Sequence, residues 1–389
     1  MFKQGLWLYA ARALAMLAGL ISQVLLARLG GAEGYGVFST MMGLVLLANG
    51  FSDFGVPLNG PKRLLAGDTN WIQNAQQLRR SLSLLSAIAY VVISFVFYRP
   101  YASWLSFGLP LVVLQFMQID WILRAMQRHE QAALRQMMQS LLAVLVLALL
   151  VFVAASWQWA LLAVALTGPL TYLIFWQKGG AWRLAAPGWL LHKPLLKEQS
   201  QVFTGQLAHQ ATYALPTLIL LPVAGATANG LLASHYLLFT SLGGFSLITI
   251  DLFMARKKQD TSGYARWMWL ASMPAFMGIA LGGWYYNGLF AGRGLAWQPA
   301  LLWPLLAVVA VHTMRLIQLN GFLLMGDLKR YRNYGLLALF FHIVAWGIML
   351  LFFKEQVSAA AALWLLVGSE VLLLMRLNSG KVVQRLRHA

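Results

Sequence analysis

Twelve apolar stretches of about twenty residues alternate with short polar gaps along the whole chain. They cover residues 5–27, 35–59, 80–98, 103–123, 136–155, 158–177, 200–222, 230–254, 267–287, 299–324, 334–353 and 357–375. At a helical rise of about 1.5 Å per residue, twenty residues cross a hydrocarbon core of about 30 Å. Each stretch therefore predicts a membrane-spanning helix, and the fold class predicted is an all-α polytopic membrane protein. The polar gaps are too short for a sizeable soluble domain. The first stretch exceeds a signal-peptide core and a second span follows at once, so it reads as a retained helix.

The pattern repeats. Under a shift of 194 residues, Gly31-Ala32-Glu33-Gly34-Tyr35-Gly36 falls on Gly225-Ala226-Thr227-Ala228-Asn229-Gly230, and Lys62-Arg63 falls on Arg256-Lys257. Each half reads as six spans with a glycine-rich turn between its first two helices. Six is even, so both halves cross in the same sense, a parallel repeat about an axis along the membrane normal. The predicted organisation is an N-lobe over 1–177, an amphipathic cytoplasmic linker over 178–199 (KGGAWRLAAPGWLLHKPLLKEQ), and a C-lobe over 200–389 that ends in a basic tail.

Charge adds an orientation. Of 29 Lys and Arg, 23 fall at the N-terminus, in alternate gaps and in the tail; four (Arg28, Arg99, Arg293 and Lys354) fall on the other side, and Arg12 and Arg315 lie within spans. The positive-inside rule then makes both termini cytoplasmic. The net charge of +18 would suit a nucleic-acid binder, but it is dispersed over separate loops and points instead to anionic lipid headgroups. Trp7, Tyr35, Tyr98, Trp157, Trp176, Trp284 and Trp303 near span ends fit interfacial belts. The chain has no cysteine, which excludes disulfides, thiolate metal sites and thiol chemistry.

The first two spans carry three local motifs: Ala27-Arg28-Leu29-Gly30 at a helix end, the turn from Gly31 to Gly36, and Asp53-Phe54-Gly55 closing the second helix. Over about 60 residues these resemble the start of polysaccharide exporters in the multidrug/oligosaccharidyl-lipid/polysaccharide (MOP) superfamily. Within it the chain looks most like the O-antigen (Wzx-type) flippases, which have twelve spans and cytoplasmic ends; at 389 residues it is somewhat short for them. The resemblance implies a flippase of the bacterial inner membrane. Its substrate would be a polyprenyl-pyrophosphate-linked oligosaccharide of lipopolysaccharide or similar polysaccharide biosynthesis, moved by alternating access of two lobes. It also implies that the first and seventh helices line a central cavity.

Polar residues at bilayer depth cost about 2.5–3.5 kcal/mol each when charged and face a cavity or a partner. Span one has Arg12, Gly19, Ser22 and Gln23 on one side, and span seven has Gln206, His209, Gln210, Tyr213 and Thr217. Under the same shift Arg12 maps on Gln206. The forked donors of Arg12 suit a diphosphate, with Asp53 as a releasable counter-ion; the competing reading is a structural Arg12–Asp53 pair. Asn49 lies one turn before Asp53 and joins that face, and Pro216 and Pro222 allow span seven to bend. Arg315 is a cavity candidate too, but Glu370 at similar depth favours an intralobe pair, and His312 and His342 read as structural. Gln115 and Gln118 read as interhelical ties. Asp120 and Asp251 are expected to snorkel, cap, or pair with Arg124 and Arg256, with proton or sodium coupling as the alternative.

An enzyme handling the same lipid-linked sugars is disfavoured. The outer loops are tiny, with Glu33 and Glu355 as their only acids, and the chain shows no metal cluster or nucleophile motif. No cofactor is expected. A cation-exporting multidrug branch of the superfamily is the alternative, and it calls for an acidic cavity. The partners expected are the lipid-linked oligosaccharide, membrane lipids and, through the pathway, a polysaccharide polymerase. A monomer already completes one cavity.

Overall fold

The computed structural model describes residues 2–65, 67–118, 120–126, 128–153, 156–178, 193–254, 263–290 and 294–378. Within them the secondary structure is helical: α1 (Phe2–Asp53), α2 (Val56–Leu65), α3 (Thr69–Phe97), α4 (Ala102–Leu105), α5 (Leu109–Val113), α6 (Asp120–Ala125) and α7 (His129–Phe152). After these come α8 (Trp157–Lys178), α9 (Lys193–Met254), α10 (Tyr264–Ala280), α11 (Gly282–Phe290), α12 (Leu302–Leu324), α13 (Leu328–Phe352) and α14 (Ala359–Asn378). Helices satisfy every backbone group internally, as a hydrocarbon environment requires.

Two of these helices are hairpins. A straight α1 of 52 residues would be about 78 Å long, well over two hydrocarbon cores. It folds at Gly31 (φ 63°, ψ −163°), and α9 folds at Gly225 (φ 86°, ψ 170°). That backbone region is open almost only to glycine, which explains why the sequence repeat places one at each position. The fold-back is visible in the Tyr35 hydroxyl, which donates to Gln23 Oε1 at 2.7 Å, although twelve residues of straight helix would part them by about 18 Å. The halves of α1 are α1a (2–30) and α1b (32–53); those of α9 are α9a (193–224) and α9b (226–254).

The two hairpins pack on each other more extensively than any other pair of elements. At their turns the contact is reciprocal: a methyl on Gly36 would overlap the Ala226 carbonyl oxygen, and one on Gly230 would overlap that of Ala32. Gly36 and Gly230, like Ala32 and Ala226, are 194 residues apart. From this glycine end, α1b lies antiparallel along α9a. Gly43 faces Thr217 and Leu218, Gly50 faces Gln210, and Gly55 meets Val202 and Phe203. Phe54 stacks on Phe203 with ring centroids 4.0 Å apart. One apolar core joins both halves, from Val24 and Met41 through Leu218 and Leu232 to Leu305 and Leu366.

The outer surface is apolar. On α3 it exposes Ile88, Val92, Phe95 and Val96, on α7 Leu145, Leu149 and Phe152, and on α13 Phe340, Ile343, Leu351 and Phe352. Such a continuous apolar exterior is the surface of a protein in lipid. Among the described residues eight segments are long and apolar enough to cross a membrane, and the hairpins 13–53 and 193–237 each account for one of them. The chain is a multi-pass membrane protein.

Two expectations about continuous spans need correction. Span four is not one helix: residues 99–125 form α4 to α6 with intervening single turns, and the chain is extended at Gln118. Span nine is interrupted at Leu281, between α10 and α11. Of the expected linker, residues 193–199 are the first turns of α9, while 179–192 lie outside the described residues, as does the tail 379–389.

Candidate functional site

Among the described residues each half of the bundle holds a buried polar centre built around an arginine. The first is built on α3, where Gln76, Arg79, Ser83, Ser86 and Tyr90 follow one another at spacings of three and four residues, hence along one face, and all are buried. Arg79 is fully buried. Its Nε and Nη2 donate to Asp53 Oδ1 at 3.0 and 2.6 Å. Nη2 also donates to the Gln115 carbonyl at 3.1 Å, and Nη1 to those of Phe116 and Gln118 at 3.3 and 3.2 Å. Gln115 Nε2 closes the ring by donating to Asp53 Oδ2 at 3.2 Å. Span four breaks here because the guanidinium takes carbonyls that a continuous helix would keep for itself. Asp53 is thus paired with Arg79, which the sequence reading did not foresee; the side chain of Arg12, its expected partner, lies outside the described residues.

A second arginine follows the same logic. Arg135 grips Asp120 with two donors, Nε to Oδ1 and Nη2 to Oδ2, donates to Gln139 Oε1 at 2.9 Å, and lies over the Tyr172 ring. The pairing expected for Asp120 was with Arg124, whose side chain lies outside the described residues. Both Arg79 and Arg135 were assigned to a cytoplasmic loop from sequence; both are interior ligands of carboxylates. The side chains of Asp251 and Arg256 fall outside the described residues.

The centre of the other half joins α9a to α12 and α14. His312 Nδ1 lies 2.7 Å from the Tyr213 hydroxyl, and the His312 ring stacks near His209 with centroids 6.3 Å apart. Arg315 sits over the Tyr213 ring at 5.2 Å and its Nη1 is ion-paired with Glu370 Oε1. Both partners of that pair are fully buried. Next to it, His342 Nδ1 meets Ser369 Oγ at 3.1 Å and Nε2 accepts from the Trp346 indole at 3.2 Å.

The two centres differ in one respect. The Arg79 guanidinium has acceptors for all its nitrogens, whereas Arg315 Nε and Nη2 have none among the described residues. The same holds for Glu370 Oε2, Gln206 Oε1, His209 Nδ1 and Gln210 Oε1, and for Asn49 Oδ1 on the facing α1b. Gln206, His209, Gln210 and Tyr213 lie along one face of α9a, with His312 and Arg315 of α12 packed on Tyr213. Gln210 also reaches α1b in the space beside Gly50. Two expected members stand apart: Asp53 belongs to the Arg79 centre, and Gln23 is bound to Tyr35 at the glycine end. Sequence reasoning missed Arg79 and Arg135 because they neighbour basic loops; the buried-polar stripe on α3 was the available signal. Among the described residues no group of His, Asp and Glu is placed to hold a metal ion.

The class of fold is set by comparison with solved structures. An inward-facing multidrug resistance MATE family transporter of the MOP superfamily matches over 96% of this chain and 98% of its own, with 13% identity and a TM-score of 0.57. The MATE multidrug transporter DinF-BH matches over 96% and 94%, with 13% identity and a TM-score of 0.62. A MATE protein in complex with MaD3S matches over 99% and 96%, with 14% identity and a TM-score of 0.59. The chain has the fold of these transporters, all-α in two six-helix lobes. No protein-family profile and no curated protein sequence matches it.

Proposed function

We propose that this protein is a transporter of that fold, carrying a polyprenyl-pyrophosphate-linked oligosaccharide, such as an O-antigen repeat unit, across the bacterial inner membrane by alternating access. The observation that carries the reading is electrostatic. Each of the three described carboxylates within the spans is held by an arginine: Asp53 by Arg79, Asp120 by Arg135 and Glu370 by Arg315. An organic-cation site calls for an acid that can be given to the cargo. The spare groups here are amide oxygens, an imidazole nitrogen and guanidinium donors, with Glu370 Oε2 neutralised by the adjacent Arg315. Such a set suits a hydroxyl-rich headgroup with anionic oxygens.

In this reading the headgroup lies against the α9a face, its sugars on Gln206, His209, Gln210 and Tyr213, its pyrophosphate near Arg12 or the free donors of Arg315. The lipid tail stays in the bilayer through a gap between lobes. The Asp53 end is cytoplasmic, and both termini lie on that side. The test uses a strain lacking the gene: surface polysaccharide on a gel, and lipid-linked intermediates extracted from the same cells. Loss of surface chains with build-up of a pyrophosphate-linked unit is expected, restored by the wild-type gene and not by Arg12→Ala. Normal polysaccharide without build-up would overturn the reading. The fold's likeness to multidrug transporters favours a second reading, cationic-drug export; raised drug sensitivity of the same strain, with normal polysaccharide, would select it.

A further inference from the structure

The seam between α1b and α9a is bonded unevenly along its length. At the glycine end it carries side-chain to backbone hydrogen bonds in both directions. The Tyr98 hydroxyl, at the end of α3, donates to the Leu218 carbonyl at 2.9 Å, and Thr40 Oγ1 donates to that of Thr217 at 3.3 Å. In the opposite direction Asn229 Nδ2 donates to the Gly36 carbonyl at 2.9 Å and to Thr40 Oγ1 at 2.8 Å. Arg28 adds Nε to Leu289 O at 2.7 Å and Nη2 to Gly288 O at 2.8 Å. At the Asp53 end the described cross-seam contacts are mainly apolar and aromatic, Phe203 against Phe51 and Phe54 and Leu195 in a cluster with Val56 and Trp71. The polar ones gather on Glu198, an exposed pair with Arg63 and a long 3.4 Å bond from the Trp71 indole. Exposed pairs of that kind hold little.

The Leu218 carbonyl has a particular reason to look outward. Its helical donor would be the N–H four residues on, which is Pro222, and proline has none. Pro222 therefore frees an acceptor in the first half of the α9 hairpin, and the Tyr98 hydroxyl of the other half fills it. Breaking this bond sacrifices no helical hydrogen bond; the carbonyl exchanges a phenol for water, at the turn of a helix already able to bend.

We propose that Tyr98 and the Pro222-freed Leu218 carbonyl, seconded by Asn229 on the Gly36 turn, form a releasable latch that holds the glycine end of the two lobes shut. Opening that end during transport requires the latch to part, and α9a bends about residues 218–222 as it does. The inference rests on the transporter reading above but not on the identity of the cargo.

The chain has no cysteine, so labelled sites can be introduced singly. Glu33 and Thr227 are exposed and 194 residues apart, one on each glycine turn. Spin labels on Glu33→Cys and Thr227→Cys report the separation of the two turns in the purified full-length protein, with no cargo added. The unaltered latch is expected to give one short distance population. Tyr98→Phe, which keeps the ring and removes only the hydroxyl, is expected to raise a longer-distance population severalfold, and Asn229→Ala to do the same. Pro222→Ala restores an N–H to the Leu218 carbonyl, so on that background Tyr98→Phe is expected to move the distribution far less. A Tyr98→Phe protein that elutes as the wild type and keeps its single short distance would overturn the latch. So would an equal shift with and without Pro222. A strain that makes normal polysaccharide without this gene would remove the cargo reading and leave these distances unaffected.

Discussion

Arg79 holds Asp53 Oδ1 with Nε and Nη2, while Nη2 also takes the backbone carbonyl of Gln115 and Nη1 those of Phe116 and Gln118. One side chain thus ties the end of α1b to a broken span. Removing it leaves a buried carboxylate and orphaned carbonyls together. Arg79→Ala is expected to cost about 3–5 kcal/mol, the range for breaking a buried pair from one side. Arg79→Lys should recover only part of this, because an ammonium cannot cover the same acceptors. Thermal unfolding in detergent checks both. A lysine variant as stable as wild type would show that charge alone suffices.

Arg315 and Glu370 make the contrasting case. Their pair is fully buried, but Arg315 keeps donors without acceptors among the described residues. Glu370→Ala is expected to destabilise by about 3–5 kcal/mol, and Glu370→Ala with Arg315→Met to lose much less, since no lone charge remains. Transport should separate from stability: the double variant folds, yet lacks the donors assigned to the cargo. Stability measurements together with polysaccharide export check this pair. A fully active double variant would remove Arg315 from the site.

How far the sequence reaches is clear from these two centres. The hairpins were legible because glycines at 31 and 225 sit at equal places in a repeat and only glycine takes the backbone found there. Arg315 and Glu370 were legible because depth arithmetic left few alternatives in that half. Asp53 was not. Arg79 lies within reach of its depth as Arg12 does, and whether the Arg79 side chain arrives there depends on how α3 rotates, which no count of residues fixes. The break of span four was equally hidden, since its cause, Arg79, lies on another helix.

Gln210 occupies the space beside Gly50 that a methyl group would need. A flexible amide can move aside, so Gly50→Ala should change stability by less than about 1 kcal/mol, the helix propensity of alanine offsetting part of the crowding. Its effect should fall on transport, because the displaced amide belongs to the proposed headgroup face. Gln210→Ala on the Gly50→Ala background should then relieve the crowding without restoring export. Export recovered by the double change would assign Gln210 to packing.

The glycine turns give the sharpest comparison. At Gly36 and Gly230 the obstruction is a backbone carbonyl of the other lobe, which cannot rotate away as a side chain does. Gly36→Ala and Gly230→Ala should each force the lobes apart, with a loss of about 1–3 kcal/mol or more. Since the two positions are equivalent in the repeat and face each other's turns, their losses should be similar. Gly19, on α1a, has open space where its methyl would go, so Gly19→Ala should be neutral or gain up to about 1 kcal/mol. Unfolding temperatures of the three variants, measured in one detergent, decide the matter. Equal behaviour of Gly19→Ala and Gly36→Ala would mean that the reciprocal contact does not hold the halves together. A loss at Gly36 alone would mean that the two-fold correspondence fails at the turns, where the repeat in the sequence is clearest.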